Sequence, residues 1–403
     1  MSSTAQFSWD EMVLLDDLVS SGEVKLGRGN VISKIDIRNN PGTYPIYSSS
    51  SKNQGKMGEY GSFMFDEELI SWSVDGGGYV FYRPKHKFSV TNVSGYMKLV
   101  GEWDYKFVAY VLQFQHEYFS FDYQTKAHPS VIREFYLFPR IPLHEQQKIA
   151  AILSSVDDVI EKTRAQIDKL KDLKTGMMQE LLTKGIGHTA FKDSPVGRIP
   201  EEWDVVELAR IARVIDCKHA TPKYFSEGYP VVKPGNIKEG NIDIAGCSLT
   251  DKDGFDDLNE NHKPRKGDTV YSRNQTYGIG AFVHKDLDFA IGQDVCVIHP
   301  TDCEPKFIFY AVNAPVVRDQ VELLAAGSTF KRINLGSIRN LLVPVPAREE
   351  QKRISLILSS VDRNLLLIEQ RLSCVTDIKK ALMQDLLTGK VRVNVDNKEN
   401  AVA

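Results

Sequence analysis

Two stretches of this chain carry apolar side chains at alternating spacings of four and three. The first runs through Ile149, Leu153, Val156, Ile160, Thr163, Ile167, Leu170, Lys174, Met177 and Leu181, broken only by Thr163 and Lys174. The second runs through Ile354, Leu358, Val361, Leu365, Ile368, Leu372, Val375, Lys379, Leu382 and Leu386, broken only by Lys379. This spacing gathers the side chains into one narrow stripe along a helix, the pattern of a coiled-coil seam. The two stretches are copies of each other. Leu153-Ser154-Ser155-Val156-Asp157 returns as Leu358-Ser359-Ser360-Val361-Asp362, an offset of 358 − 153 = 205, and Lys174 returns as Lys379 at the same offset. No insertion separates the matches, as a helix requires, because one extra residue turns its face by about 100°.

Each stretch predicts a helix of about forty residues, roughly 60 Å long. Pro142 and Pro346 mark the starts, with Glu145, Glu349 and Glu350 in the first turns, and Gly185, Gly187 and Gly389 mark the ends. A stripe that long needs cover. The simplest cover for one helix is the other, lying antiparallel.

The segments before each helix read differently. Short β-branched and aromatic runs alternate with turns, as in 63–73, 79–82, 269–272 and 295–299, and helical patterns occupy 105–118 and 305–324. The expected fold is α+β: two mixed domains joined and separated by two long antiparallel helices in a pseudo-two-fold coiled coil. The expected boundaries are a disordered tail 1–8, a domain 9–140, a helical region 141–187, a Pro/Gly-punctuated linker 188–202, a second domain 203–343, a second helical region 344–391, and a disordered tail 392–403. The seam residues expected to carry the coiled coil or a partner are Ile149, Leu153, Val156, Ile160, Leu170, Ile354, Leu358, Val361, Leu365 and Val375.

Composition narrows the function classes. A net charge of −3 does not announce a nucleic-acid binder, although a basic face can coexist with acidic residues elsewhere. The five cysteines form no CxxC pair and fit a reducing compartment. No signal peptide or membrane-spanning run is visible. Neither a phosphate-binding GxxxxGK[ST], an HExxH nor a Ser/His/Asp arrangement can be assigned, and Gly76-Gly77-Gly78 reads as a tight turn. Catalytic and metal-ligating residues are therefore expected to be absent.

Polar loops recur ahead of both helices. Ser, Asn, Gln, Lys and Arg are the side chains that match base edges and phosphates. The candidates for DNA contact are Ser49, Ser50, Lys52, Asn53, Lys56, Lys126 and His128 in the first domain. In the second they are Asn236, Lys238, Arg273, Asn274, Tyr277, Thr329, Lys331 and Arg332. The helices are kept while the domains diverge, as expected of a fixed scaffold carrying interchangeable readers.

Short motifs then point to a family. Pro142-Leu143-His144-Glu145-Gln146-Gln147-Lys148-Ile149 and Pro346-Ala347-Arg348-Glu349-Glu350-Gln351-Lys352-Arg353-Ile354 resemble the P-L-x-E-Q-x-x-I opening of the conserved regions in specificity subunits of type I restriction-modification systems. The second copy has one extra residue after its proline. Gly197-Arg198-Ile199-Pro200-Glu201-Glu202-Trp203 resembles the G-x-I-P-x-x-W that precedes their target-recognition domains. Tyr44-Pro45-Ile46-Tyr47 and Gly267-Asp268-Thr269-Val270 resemble stretches within those domains. The resemblance implies a non-catalytic reader of a bipartite site in double-stranded DNA with a fixed spacer. It also implies docking of two adenine-methylating methyltransferase subunits and, in some systems, two restriction subunits. S-adenosylmethionine, ATP and Mg would sit on those partners, with no cofactor in this chain, and the compartment would be a bacterial or archaeal cytoplasm. The alternatives are a coiled-coil scaffold that joins proteins without reading DNA, and an enzyme whose site is too divergent to read.

Overall fold

The two amphipathic stretches form single uninterrupted helices, Leu143–Leu181 and Arg348–Leu387. Their first residues are 348 − 143 = 205 apart, so the extra residue after Pro346 is absorbed before the helix begins. The structure, a computed structural model, describes residues 7–50, 52–75, 79–119, 121, 126–325 and 332–394. Thr329, Lys331 and the Gly76–Gly78 turn lie outside them. No helix among the described residues is long and apolar enough to cross a membrane.

The chain divides into two compact units. One is Met1–Arg164 with Gln370–Ala403, and the other is Ala165–Glu369. Each long helix is thus shared: every unit contains one globular domain, one half of the first helix and one half of the second. The reason is visible in the cores. In the first unit Ile149 and Leu153 are buried in the cluster that holds Phe107, Trp72, Met383, Leu386 and Leu387. In the second, Ile354 and Leu358 are buried with Phe307, Met178 and Leu182. Removing such side chains from water stabilises by about 2 kcal/mol each. The outer seam positions therefore serve the domain core as well as the facing helix.

Within each unit the two helix halves run antiparallel. In the second unit Lys174 pairs with Asp362 at 2.8 Å and Lys171 with Glu369 at 3.5 Å. In the first unit Lys379 pairs with Asp157 at 2.7 Å. The lysines that break the apolar stripe thus have a structural role. The remaining expected seam residues follow the stripe: Ile160, Val361 and Leu365 are buried, and Val156, Leu170 and Val375 are half-buried.

The first domain is built on a six-stranded sheet. Its strand order is Val24–Arg28, Ser94–Leu99, Phe65–Ser73, Val80–Val90, Tyr44–Tyr47, Lys56–Tyr60. The neighbouring strands Tyr44–Tyr47 and Val80–Val90 are parallel, and the other pairs are antiparallel. The helix Tyr105–His116, N-capped by the Asp104 carboxylate accepting from Phe107 N at 2.8 Å, turns Phe107, Val111 and Leu112 into the core.

The second domain repeats this order in two pieces. Ala212–Asp216, Val295–Pro300, Thr269–Ser272 and Gly280–Phe282 are neighbours in one sheet. Ala290–Ile291, Tyr229–Val232 and Ser248–Thr250 continue the sequence in another, again with one parallel pair, between Tyr229–Val232 and Ala290–Ile291. The repeat register reaches into the domains. Gln115 and Leu137 exchange two hydrogen bonds through the glutamine amide and the leucine backbone, and so do Gln320 and Leu342, each residue 205 after its counterpart.

The described elements differ in detail from the sequence pattern. The helical pattern over 305–324 is two helices, Pro305–Asn313 and Pro315–Ala325, because Pro315 pushes Ala314 into an extended backbone (ψ 146°). The linker contains an antiparallel hairpin, Phe191–Ser194 with Gly197–Pro200. The described residues of the two tails are tied down. Ser8 N donates to Thr388 O, and the Arg392 guanidinium donates twice to the Glu145 carboxylate at 2.8 Å. Gly389 (φ +79°) lies so close to Trp9 that a Cβ there would sit 2.7 Å from the indole ring.

Candidate nucleic-acid interface

Five polar segments of the first domain meet at one end of its sheet. Thr91, just past strand Val80–Val90, donates from its backbone N to Tyr47 O and from its hydroxyl to Ser48 Oγ. Asn92 N donates to Asn30 O, and Arg28 Nε donates to Asn92 O at 3.0 Å. Val74 N donates to Val93 O, Ala127 N donates to Val74 O, and the Trp72 indole donates to Ala127 O at 2.8 Å. These bonds gather residues 28–30, 48–50, 73–75, 91–94 and 126–128.

The second domain does the same at the equivalent end. Gly292 N donates to Val232 O, the counterpart of Thr91 N to Tyr47 O. Thr276 Oγ1 donates to Pro234 O at 2.8 Å, which joins the loop after Ser272 to the loop after Val232. Arg273 N donates to Asp294 O, Asn274 Nδ2 donates to Asp294 Oδ2 at 3.2 Å, and Arg332 pairs with Asp294 at 2.6 Å. Gln293 Nε2 donates to Thr221 Oγ1 at 3.0 Å and brings in the loop after Asp216.

Backbone strain marks the same places. Among the described residues, four non-glycine residues have a left-handed backbone, Asn53, Gln54, Gln275 and Asp294. Two lie in each domain, and all belong to these loops. Each such residue costs roughly 1 kcal/mol, and strain of this kind collects where a site over-determines the chain.

Donor sets of metal-ligating type occur only in the second domain among the described residues. Asp268, fully buried, accepts at 2.7 Å from His262 Nε2 and at 2.7 Å from His299 Nδ1, and Arg265 Nη2 donates to His299 Nε2 at 2.9 Å. The carboxylate is satisfied by hydrogen bonds, and a guanidinium occupies the outer face of the set. In Asp216, Cys217 and His219, the Asp216 carboxylate already accepts from Arg273 Nη1 at 2.7 Å and lies 3.1 Å from His219 Nε2, while burial and the Asp216 charge push the Cys217 thiol up. Neither set resembles an open catalytic metal centre.

The type I restriction modification DNA specificity domain matches this chain over residues 11–172 and 200–376, so that both domains and most of both helices are covered. The chain belongs to that family. It is 28% identical over 341 residues to the MjaVIII type I restriction enzyme specificity subunit of Methanocaldococcus jannaschii, covering 81% of this chain and 79% of that one. It is 27% identical over 348 residues to a putative type I specificity subunit of Mycoplasma pneumoniae, covering 83% and 85%. The fold of a type I restriction-modification S subunit crystal structure from M. genitalium superposes with a TM-score of 0.60 at 18% identity, over 94% of this chain and 96% of that one.

The sequence-based candidates of this specificity subunit fall into three groups. Ser50, Lys52, Asn53 and Lys238 are exposed in or beside the loop clusters, and Ser49 and Asn236 are half-buried there. Lys56, Lys126 and Arg332 lie nearby but are paired with Glu59, Asp75 and Asp294. His128 accepts through Nδ1 from Ser130 N at the start of the short helix Pro129–Ile132, and burial with the Arg28 charge lowers its pKa. Asn274 braces Asp294, and the Tyr277 hydroxyl donates to Glu322 at 2.8 Å.

Arg273 is a correction. It is 5% exposed, with Nη1 on Asp216 at 2.7 Å and Nε on Ile333 O at 3.4 Å, so its guanidinium faces the protein. The loop clusters also hold Arg28, Asn30, Asn92, Gln54, Gln275 and Asp294, which residue type alone did not single out. Gln54 and Gln275 directly follow the candidates Asn53 and Asn274 in sequence, whereas the other four stand apart from any candidate.

Proposed function

We propose that this chain is the non-catalytic recognition subunit of a type I restriction-modification complex, each domain reading one half of a bipartite DNA site. What carries this reading is that polar, strained loops collect at the same end of the same strand order in both domains. Phosphate contacts from Arg28, Lys52 and Lys238 would position the duplex, and Ser49, Ser50, Asn53, Asn236 and Asn274 would read base edges. Thr329 and Lys331 belong to the same proposal from the sequence alone. The long helices would hold the half-sites at a fixed spacing. Exposed apolar side chains along them, Leu356, Leu366 and Leu367 in one unit and Ile378 in the other, support docking of methyltransferase subunits. Those partners would supply S-adenosylmethionine and methylate adenine, and restriction subunits would supply ATP-driven cleavage.

Selection from a random duplex library by the assembled complex tests the reading. Enrichment of two short blocks at a constant gap is expected, with binding that weakens steeply in salt. A single continuous site, or binding indifferent to salt, overturns it and favours a protein-only scaffold.

A further inference from the structure

The loop from Tyr47 to Lys56 turns back through consecutive left-handed residues. Asn53 has φ/ψ of 49°/42° and Gln54 of 50°/31°, and Gly55 follows at φ +79°. Asn53 and Gln54 are exposed, so their own side chains do not pack to hold this conformation. Two contacts close the turn. Ser48 N donates to Gly55 O at 2.7 Å, and Arg83 Nη2 donates to Gln54 O at 2.8 Å.

Arg83 is an unusual residue for this task. It is 2% exposed, in the strand Val80–Val90, and among the described residues it forms no ion pair. Its Nε donates to Ser71 Oγ at 3.0 Å, and its guanidinium carbon lies 3.7 Å from the Tyr47 ring centroid and 4.5 Å from that of Phe81. Burial without a carboxylate lowers its pKa to about 10, which still leaves it charged at neutral pH. A buried cation lacking a counter-charge is expensive, and a hydrophobic residue would pack between the same rings at lower cost. What such a residue could not supply is the donor to Gln54 O.

We propose that Arg83 is the positioning residue of the first domain's reading loop: by tying Gln54 O to the sheet and stacking on Tyr47, it fixes the presentation of Ser49, Ser50, Lys52 and Asn53 to DNA. It therefore sets base discrimination in one half-site without itself touching the duplex. This inference rests on the DNA-reading function proposed above. Among the described residues no buried arginine donates to the equivalent loop of the second domain, around residues 233–238, so the other half-site is an internal control.

The test is library selection with the full-length chain and three variants, Arg83→Met, Arg83→Met with Gln54→Gly, and Lys52→Ala, at two salt concentrations. Arg83→Met is expected to lower base preference about tenfold within one half-site. The other half-site and the salt dependence should be unchanged. Lys52→Ala is expected to weaken all sequences alike and to make the salt dependence shallower. Gln54→Gly should restore part of the lost preference in the Arg83→Met background, because glycine adopts the left-handed backbone without help. A role confined to core stability would show no such rescue. Loss spread evenly over both half-sites, unchanged preference, or no recovery with Gln54→Gly overturns the proposal. Should Arg83→Met lose its folded near-UV circular dichroism, Arg83→Lys is read on the same scale, since it keeps the charge but not the combined stack and reach. A wild-type chain that enriches no split site overturns the underlying reading of the function, and this inference with it.

Discussion

Lys174 Nζ sits 2.8 Å from Asp362 Oδ1, and this pair binds the two long helices of the second unit across the one position where each apolar stripe carries a charge. Tyr310 donates to the other oxygen of Asp362 at 2.6 Å. The first unit holds the copy: Lys379 on Asp157, with Tyr110 donating to Asp157. The Lys174 side chain is 13% exposed and that of Asp362 33%, so this pair lies between a surface bridge and a buried one.

A double-mutant cycle with Lys174→Met and Asp362→Asn is expected to give a coupling of about 1 kcal/mol. The Lys379 and Asp157 cycle should give less, because those side chains are 23% and 39% exposed. Chemical denaturation of the four variants in each cycle measures this. A coupling near zero in the Lys174 cycle would mean that the shared stripe position is decorative.

Acid should loosen the first unit through His116. Its imidazole is buried, Nδ1 lies 2.6 Å from Tyr136 Oη, and Nε2 has no hydrogen-bond partner among the described residues. Burial lowers its pKa from 6.5 to about 4. Between those values the unfolded chain takes up a proton that the folded chain refuses. Stability is therefore complete above the unfolded value and falls as pH drops toward the folded one, by up to roughly 1.4 kcal/mol per pH unit. His116→Phe should remove this slope in melting curves recorded from pH 7 to 4. An equal slope in wild type and variant would assign the acid sensitivity elsewhere.

The long helices were legible because one element was written twice in register. Every 4-3 position of one copy checks the other, and the starts at Leu143 and Arg348 keep the offset that the prolines break. The strand order was not legible. The parallel pairing of Tyr44–Tyr47 with Val80–Val90 depends on partners forty residues away, and no local period encodes it. The loop clusters inherit that silence. Ser49 and Lys52 announce themselves by polarity, whereas Arg28, Asn30 and Asn92 join them only through the sheet. Arg83 and Arg273 show the limit of residue type as evidence. One sits just past the apolar run 79–82, where residue type does not tell a buried position from an exposed one, and the other in an Arg-Asn-Gln loop that reads as a DNA contact. Both are buried by partners remote in sequence, Tyr47 and Gln54 for Arg83 and Asp216 for Arg273.

Arg273→Ala should therefore act on stability. It removes the bond to Asp216 and leaves that carboxylate with His219 at 3.1 Å as its remaining ion-pair partner. A loss of about 2 to 4 kcal/mol is expected in thermal unfolding of the second unit. Lys238→Ala, at an exposed lysine beside the same loops, should leave the melting temperature unchanged and reduce the salt slope of DNA binding by about 1. Reversed outcomes for the two variants would return Arg273 to the contact surface.

The ruler role proposed for the helices makes a numerical prediction. The two units divide after Arg164 and after Glu369, and 369 − 164 = 205, so the division falls at the same place in each repeat. Seven residues inserted at both points leave every contact described within either unit intact. They add two helical turns, about 10.5 Å, and keep the apolar stripe close to phase. At about 3.4 Å per base pair the gap between half-sites should grow by roughly three base pairs, with the bases of each half-site unchanged. Inserting the seven residues in one helix only should abolish binding instead, because the two repeats would no longer match in length. Selection from a duplex library, or methylation mapping with the assembled complex, reads the gap directly. A gap that stays constant in the doubly extended chain rules out the helices as the spacer.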